Sequence, residues 1–194
     1  GDETFIRNII LGNEYMNSIL PGFKSQVFHN VDVSIGHSQL PQILKLGGYT
    51  FYRGWRPQGA MDAKKIPRQF TWVGIDDSSI ICSRGTYAGF WQAEYMEKEN
   101  FSDSDGSLVE FYNTELKDIL LHSESEHIWV PFGMDDTLPM MDVKDNPINL
   151  DAFLEYFKKA AESSVFYSNA ANYFAGLAKS DLPVYKGILD PSDV

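Results

Sequence analysis

At 194 residues and 22.0 kDa the chain fits one domain, and 43% hydrophobic residues suffice for a sizeable core. A net charge of −11 opposes binding to phosphate backbones and to anionic membrane surfaces, which argues against nucleic acid and membrane as partners. Cys82 is the only cysteine, so no internal disulfide and no cysteine-based zinc site can form; a lone thiol suits a reducing, cytoplasmic setting. No apolar run approaches the roughly 18 residues of a membrane span.

In chain order, apolar residues at Phe5, Ile6, Ile9, Ile10, Met16, Ile19 and Leu20 keep a helical period, predicting a helix over 4–20 that Pro21-Gly22 stops. Gln26–Val33 reads as a strand running into a loop. Gln39–Leu46 is a short helix ended by Gly47-Gly48. Tyr49–Trp55 alternates like a strand, and the polar, Pro-flanked stretch 57–68 reads as a loop. Phe70–Ile75 and Ser79–Ser83 form a hairpin around Asp76-Asp77-Ser78.

Further on, 90–98 is helical and 100–106 an acidic loop. Ser107 and Glu110 have capping-box spacing before a helix that ends near His122. His127–Phe132 is a short apolar strand followed by a loop over 133–147. Asn149 caps a helix with Leu150, Phe153, Leu154 and Phe157 on one face. Val165–Tyr167 is a strand, and 169–179 a last helix before Leu182-Pro183. Strands alternating with helices imply an α/β fold with parallel strands in a single domain, 1–194.

Three stretches carry the residue types of a site. In His29-Asn30-Val31-Asp32-Val33-Ser34-Ile35-Gly36-His37-Ser38 a strand runs out into a loop, the edge where α/β folds build sites. Asp32 and Ser38 also suit helix capping there. In Val130 to Pro139 a strand ends in Gly133 and two adjacent carboxylates follow, Asp135 and Asp136. In a shared pocket one would raise the other's pKa, as protonation of a leaving group requires; in a turn both would simply be solvated. Tyr52-Arg53-Gly54-Trp55-Arg56-Pro57 joins arginine to an aromatic platform, which serves polar recognition or surface packing equally well. No His-x-His, His-x-Asp or His-Glu-x-x-His occurs, so local spacing gives no complete zinc site.

Asp32-Val33-Ser34-Ile35-Gly36-His37-Ser38-Gln39-Leu40-Pro41-Gln42-Ile43-Leu44 resembles a tract of glycoside hydrolase family 38, the class II α-mannosidases. The likeness continues in order through Gly1 to Thr4, Arg56-Pro57, Phe70 to Ser78, Pro131 to Pro139 and Leu182 to Gly187. Ile35, Asp77 and Tyr185 depart from the family's Phe, Gly and Trp. The resemblance implies part of a seven-stranded (β/α) barrel-like domain with parallel strands and flanking helices. It implies retaining hydrolysis of an α-mannoside, with Asp32 as nucleophile and metal ligand and Asp136 as acid and base.

Arg56, Arg53, Asp135 and Trp72 would contact or orient a mannose-containing glycan, Trp72 as a pocket wall or as core. Zinc would find one ligand here, Asp32. The family's other zinc ligands would lie before Gly1 and beyond Val194, so the chain would be a central slice, inactive alone, whose partner is the remainder of the enzyme. Its uncovered sheet edges would favour self-association. Two other readings fit less of the chain: a metal-dependent deacetylase-like hydrolase using His29, Asp32 and His37, and a non-catalytic carbohydrate-binding module.

Overall fold

The computed structural model describes residues 2–30, 37–85, 119, 121–130, 155, 158 and 166–189. Helix α1 (Asp2–Ile19) buries Ile9, and Asn13 donates to the Gly47 carbonyl at 3.1 Å. At its end Gly22 takes φ +85 and its N–H finds the Asn17 side chain. Strand β1 (Val27–Asn30) leads toward α2 (Leu40–Leu46), which buries Leu40, Pro41 and Leu44. Gly47 and Gly48 end α2 as expected: the Gly47 N–H returns to Ile43, and Gly48 turns at φ +88, where a side chain would be strained.

Strand β2 (Phe51–Gly54) pairs parallel with β1, the pairing that a crossover helix permits. The stretch expected as a loop after it contains a helix instead, α3 (Gln58–Ala63). Ala60 and Met61 are buried there and Ile66 seals its end, so burial of these three organises a stretch whose polar composition masks them.

The expected hairpin is present as β3 (Gln69–Val73) and β4 (Ser79–Arg84). Asp77 takes φ +65 in its turn, while both Asp76 carboxylate oxygens accept from Ser78. Helix α4 (Ala170–Leu177) is capped by Asn169, whose side chain accepts the Asn172 N–H at 2.9 Å. Strand β5 (Val184–Lys186) pairs parallel with β3. It was not expected: three residues between Pro183 and Gly187, two of them exposed, carry no strand signal.

The sheet order is β1-β2-β4-β3-β5, with three of four pairings parallel. The α/β expectation therefore holds with a mostly parallel sheet; closure into a barrel is not seen among the described strands. The helix expected to end near His122 is still helical at Leu121. Residues 127–130 form no strand, and the His127 carbonyl accepts from the Gln69 side chain at 2.6 Å. Phe166 and Tyr167 likewise lie outside any strand. The expectations over 31–36, 86–118, 131–154 and 159–165 lie outside the described residues.

Candidate active site

Alternation along the strands separates two sheet faces. One presents Phe28, Tyr52, Cys82, Ile80, Phe70 and Trp72 to α1 and α2, forming the larger core. The other presents Val27, Phe51 and Ile81 to Phe174 and Leu177 of α4. On this second face, one register row crosses four strands: His29 pairs with Arg53, Arg53 with Ser83, and Ser83 with Gln69. The row lies at the carboxyl ends of the three mutually parallel strands β1, β2 and β4, the edge at which α/β sheets place ligands.

Arg53 dominates the row and is 3% exposed. Its Nη1 donates to Ser83 Oγ at 2.9 Å, and its guanidinium lies 5.0 Å from the centre of the Trp129 ring. Ser83 Oγ is 2.9 Å from Tyr173 Oη, and Gln69 Nε2 donates to Tyr173 Oη at 3.0 Å. Burial pushes the Arg53 pKa down to about 10, against a smaller raising effect from Tyr173. The guanidinium still stays charged at neutral pH. His29, partly open to solvent, has its ring 6.0 Å from Trp129. Burial first and the Arg53 charge second hold its pKa below the usual 6.5.

The segment carrying Trp129 is fastened beside this row. The Glu124 carboxylate accepts the backbone N–H groups of Arg68 and Gln69, at 3.2 and 2.9 Å. Ser125 Oγ meets Ser180 Oγ at 2.7 Å. Two stretches of chain thus meet at Arg53: β1, which leads on toward Asp32, and 121–130, which leads on toward Asp135 and Asp136.

Asp32, Asp135 and Asp136 themselves lie outside the described residues. Arg53 and Arg56, expected to act together, have different surroundings. Arg53 is enclosed, whereas Arg56 is exposed with its guanidinium 5.0 Å from the Trp55 ring. Trp72 leaves two readings open in the sequence, pocket wall or core, and its surroundings favour the core. Its indole is 0% exposed, packs against Tyr52 at 5.7 Å and donates Nε1–H to the Gly187 carbonyl at 2.8 Å. With no free face it serves as core and not as a pocket wall.

Ser83, Gln69, Trp129 and Tyr173 went unnoticed in the sequence. The available signal was polar residues at inward positions of strands, Gln69 and Ser83, which a buried charge explains. No group of three His, Cys, Asp or Glu side chains among the described residues could hold a metal ion. His37 Nδ1 already accepts the Gln39 N–H at 3.0 Å. The described residues alone therefore make no zinc centre.

The profile described as "Glycosyl hydrolases family 38 N-terminal domain" matches residues 2–188. Among solved structures, an α-mannosidase from Enterococcus faecalis superposes with a TM-score of 0.66 at 16% identity, which is likeness of fold. The match covers 100% of this chain and 21% of that one, so the chain spans about a fifth of that enzyme's length. No curated protein matches the sequence.

Proposed function

The chain belongs to glycosyl hydrolase family 38, as part of its N-terminal domain, and from that premise we propose that it supplies the nucleophile and the acid of a retaining α-mannosidase. The observation that carries the reading is the convergence on Arg53. The strand preceding Asp32 is paired in register with Arg53, and the segment preceding Asp136 sets the Trp129 ring against its buried, charged guanidinium at the carboxyl edge of the sheet.

The chemistry follows from two carboxyl groups. Asp32 attacks the anomeric carbon as the glycosidic C–O bond breaks, and Asp136 donates its proton to the departing oxygen. Water then attacks the glycosyl ester on Asp32. Asp136 takes the water's proton, and mannose leaves with its configuration retained. Asp135, adjacent in sequence, would help to keep a proton on Asp136 by like-charge repulsion. Arg53 is suited to orient the Asp32 carboxylate or a sugar hydroxyl, and the exposed Arg56 to reach the sugar at the rim. Zinc belongs to the proposal through Asp32 as one ligand, with the others supplied by the rest of the enzyme; when bound it would hold sugar hydroxyls and stabilise charge. Without that remainder, the edges that β1 and β5 form among the described strands would favour self-association.

The test uses the full-length enzyme that carries this chain. Asp32→Asn should abolish turnover of an aryl α-mannoside. A 2-deoxy-2-fluoro mannosyl fluoride should label the wild type, with the added mass on the peptide containing Asp32. Asp136→Ala should lower turnover by about 10²–10⁴-fold, much less so for a leaving group that needs no proton. Unchanged turnover in Asp32→Asn would refute the assignment.

A further inference from the structure

We propose that Ser83 and Tyr173 are positioning residues for Arg53, acting through its guanidinium and never touching substrate; this rests on the function proposed above. An arginine is long and flexible, and its hydrated head ordinarily reaches for water. Here the head is drawn down among buried side chains at the end of β2. A buried guanidinium requires acceptors for its N–H groups. Ser83 Oγ provides one at 2.9 Å, from the paired position on the neighbouring strand.

Ser83 is itself held. Its hydroxyl meets Tyr173 Oη at 2.9 Å, and Tyr173 Oη receives a hydrogen bond from Gln69 Nε2. The same amide nitrogen donates to the His127 carbonyl at 2.6 Å. Gln69 Oε1 is buried with no hydrogen-bond partner among the described residues, so these two donations fix the amide. The Trp129 ring, against the guanidinium, stands edge-on to Tyr173 with centroids 5.4 Å apart. Gly85 leaves the remaining room: a Cβ there would come within 2.8 Å of Arg53 Nη2.

Packing alone asks for none of these polar groups. A phenylalanine at 173 would keep the ring contacts with Trp129 and Phe174, and an alanine at 83 would fit the strand. Their hydroxyls are explained by a guanidinium that must stay at one place and one angle. Misplacement of an orienting group by about 1 Å can lower a rate by about 10²-fold.

The experiment is a mutant cycle in the full-length enzyme on an aryl α-mannoside. Ser83→Ala and Tyr173→Phe should each lower kcat about 10-fold or more, with KM changed less than about twofold, and Ser83→Thr should restore most of the loss. In an Arg53→Lys background, adding Ser83→Ala or Tyr173→Phe should lower kcat by less than about twofold, because the group they position is gone. Losses that multiply with Arg53→Lys, or an unchanged kcat in both single variants, would overturn the inference. So would normal turnover in Arg53→Lys while Asp32→Asn is inactive, which leaves the proposed function standing. Failure of the wild type to hydrolyse α-mannosides removes the proposed function itself, and this inference with it.

Discussion

The two faces of one sheet are built on opposite terms. Beneath α1 and α2, Phe28, Tyr52, Trp72 and Phe70 join through ring contacts, Phe28 stacked on Tyr52 and Tyr52 edge-on to Trp72. Polar groups there act as struts: Asn30 donates to Tyr52 Oη, and the Trp72 indole donates to Gly187. Burial drives the Tyr52 pKa up to about 12, so its phenol stays neutral. Beneath α4, the same strands place a full positive charge at a comparable depth. Burying a charge among apolar groups costs several kcal/mol before pairing returns any of it. The apolar face therefore carries stability, whereas the row through Arg53 uses some of that stability to hold a charge in place.

Substitutions on the two faces should separate these roles. Trp72→Ala deletes the largest fully buried side chain among the described residues and leaves the Gly187 carbonyl without its donor. It should lower the unfolding free energy by about 3–5 kcal/mol in urea titration, which for a domain of this size can abolish folding. Arg53→Met should behave in the opposite way. Replacing a buried charge with an apolar chain of similar length is often neutral, so a stability change within about 2 kcal/mol is expected. In the full-length enzyme the same change should cost more than about 10²-fold in kcat/KM. A large loss of stability in Arg53→Met with turnover intact would reverse the assignment of roles.

Much of this contrast can be read in the strands. Alternation of Phe51 and Arg53, and of Ile81 and Ser83, already assigns each pair to one side, and the apolar partners Tyr52 and Cys82 to the other. Strands β1 to β4 were correspondingly legible, though not their bounds, and so was the hairpin, whose Asp76-Asp77-Ser78 turn accepts positive φ at Asp77. The Arg53–Ser83–Tyr173 chain was not. Tyr173 lies 90 positions from Ser83, and neither residue carries a mark of the other. Residues 58–63 hid because their two buried side chains, Ala60 and Met61, sit in a stretch dominated by polar neighbours. The sequence left Trp72 open between pocket wall and core for a related reason: a tryptophan's type gives its area, and only its neighbours decide whether one face stays open.

A smaller effect tests how firmly the charged face is anchored. Helix α4 has eight residues, too few to be stable alone, and Asn169 satisfies one of its free N–H groups. Asn169→Ala should lower stability by about 1 kcal/mol. Because α4 carries Tyr173, hydrogen exchange at 170–177 should quicken more than in β2 or β4. Uniform acceleration across the sheet would mean that α4 unfolds only together with the whole domain.

The smallest expected effect is electrostatic and concerns His29, at the outer end of the row. Burial and the Arg53 charge hold its folded pKa below 6.5, so the folded protein binds this proton less readily than the unfolded chain. The resulting stabilisation is fully present above pH 6.5 and is lost as pH falls through the folded pKa. Part of the ring meets solvent, which weakens the coupling to Arg53. His29→Gln removes the titration and leaves a neutral side chain. Thermal midpoints of wild type and variant, compared at about pH 7.5 and about pH 5.5, should move in the variant's favour at the lower pH. Adding Arg53→Met to both proteins should shrink that movement without erasing it, since burial is the larger cause and the arginine charge the smaller. An unaltered movement would mean that the Arg53 charge does not reach His29, and that the polar face acts as separate sites and not as one row.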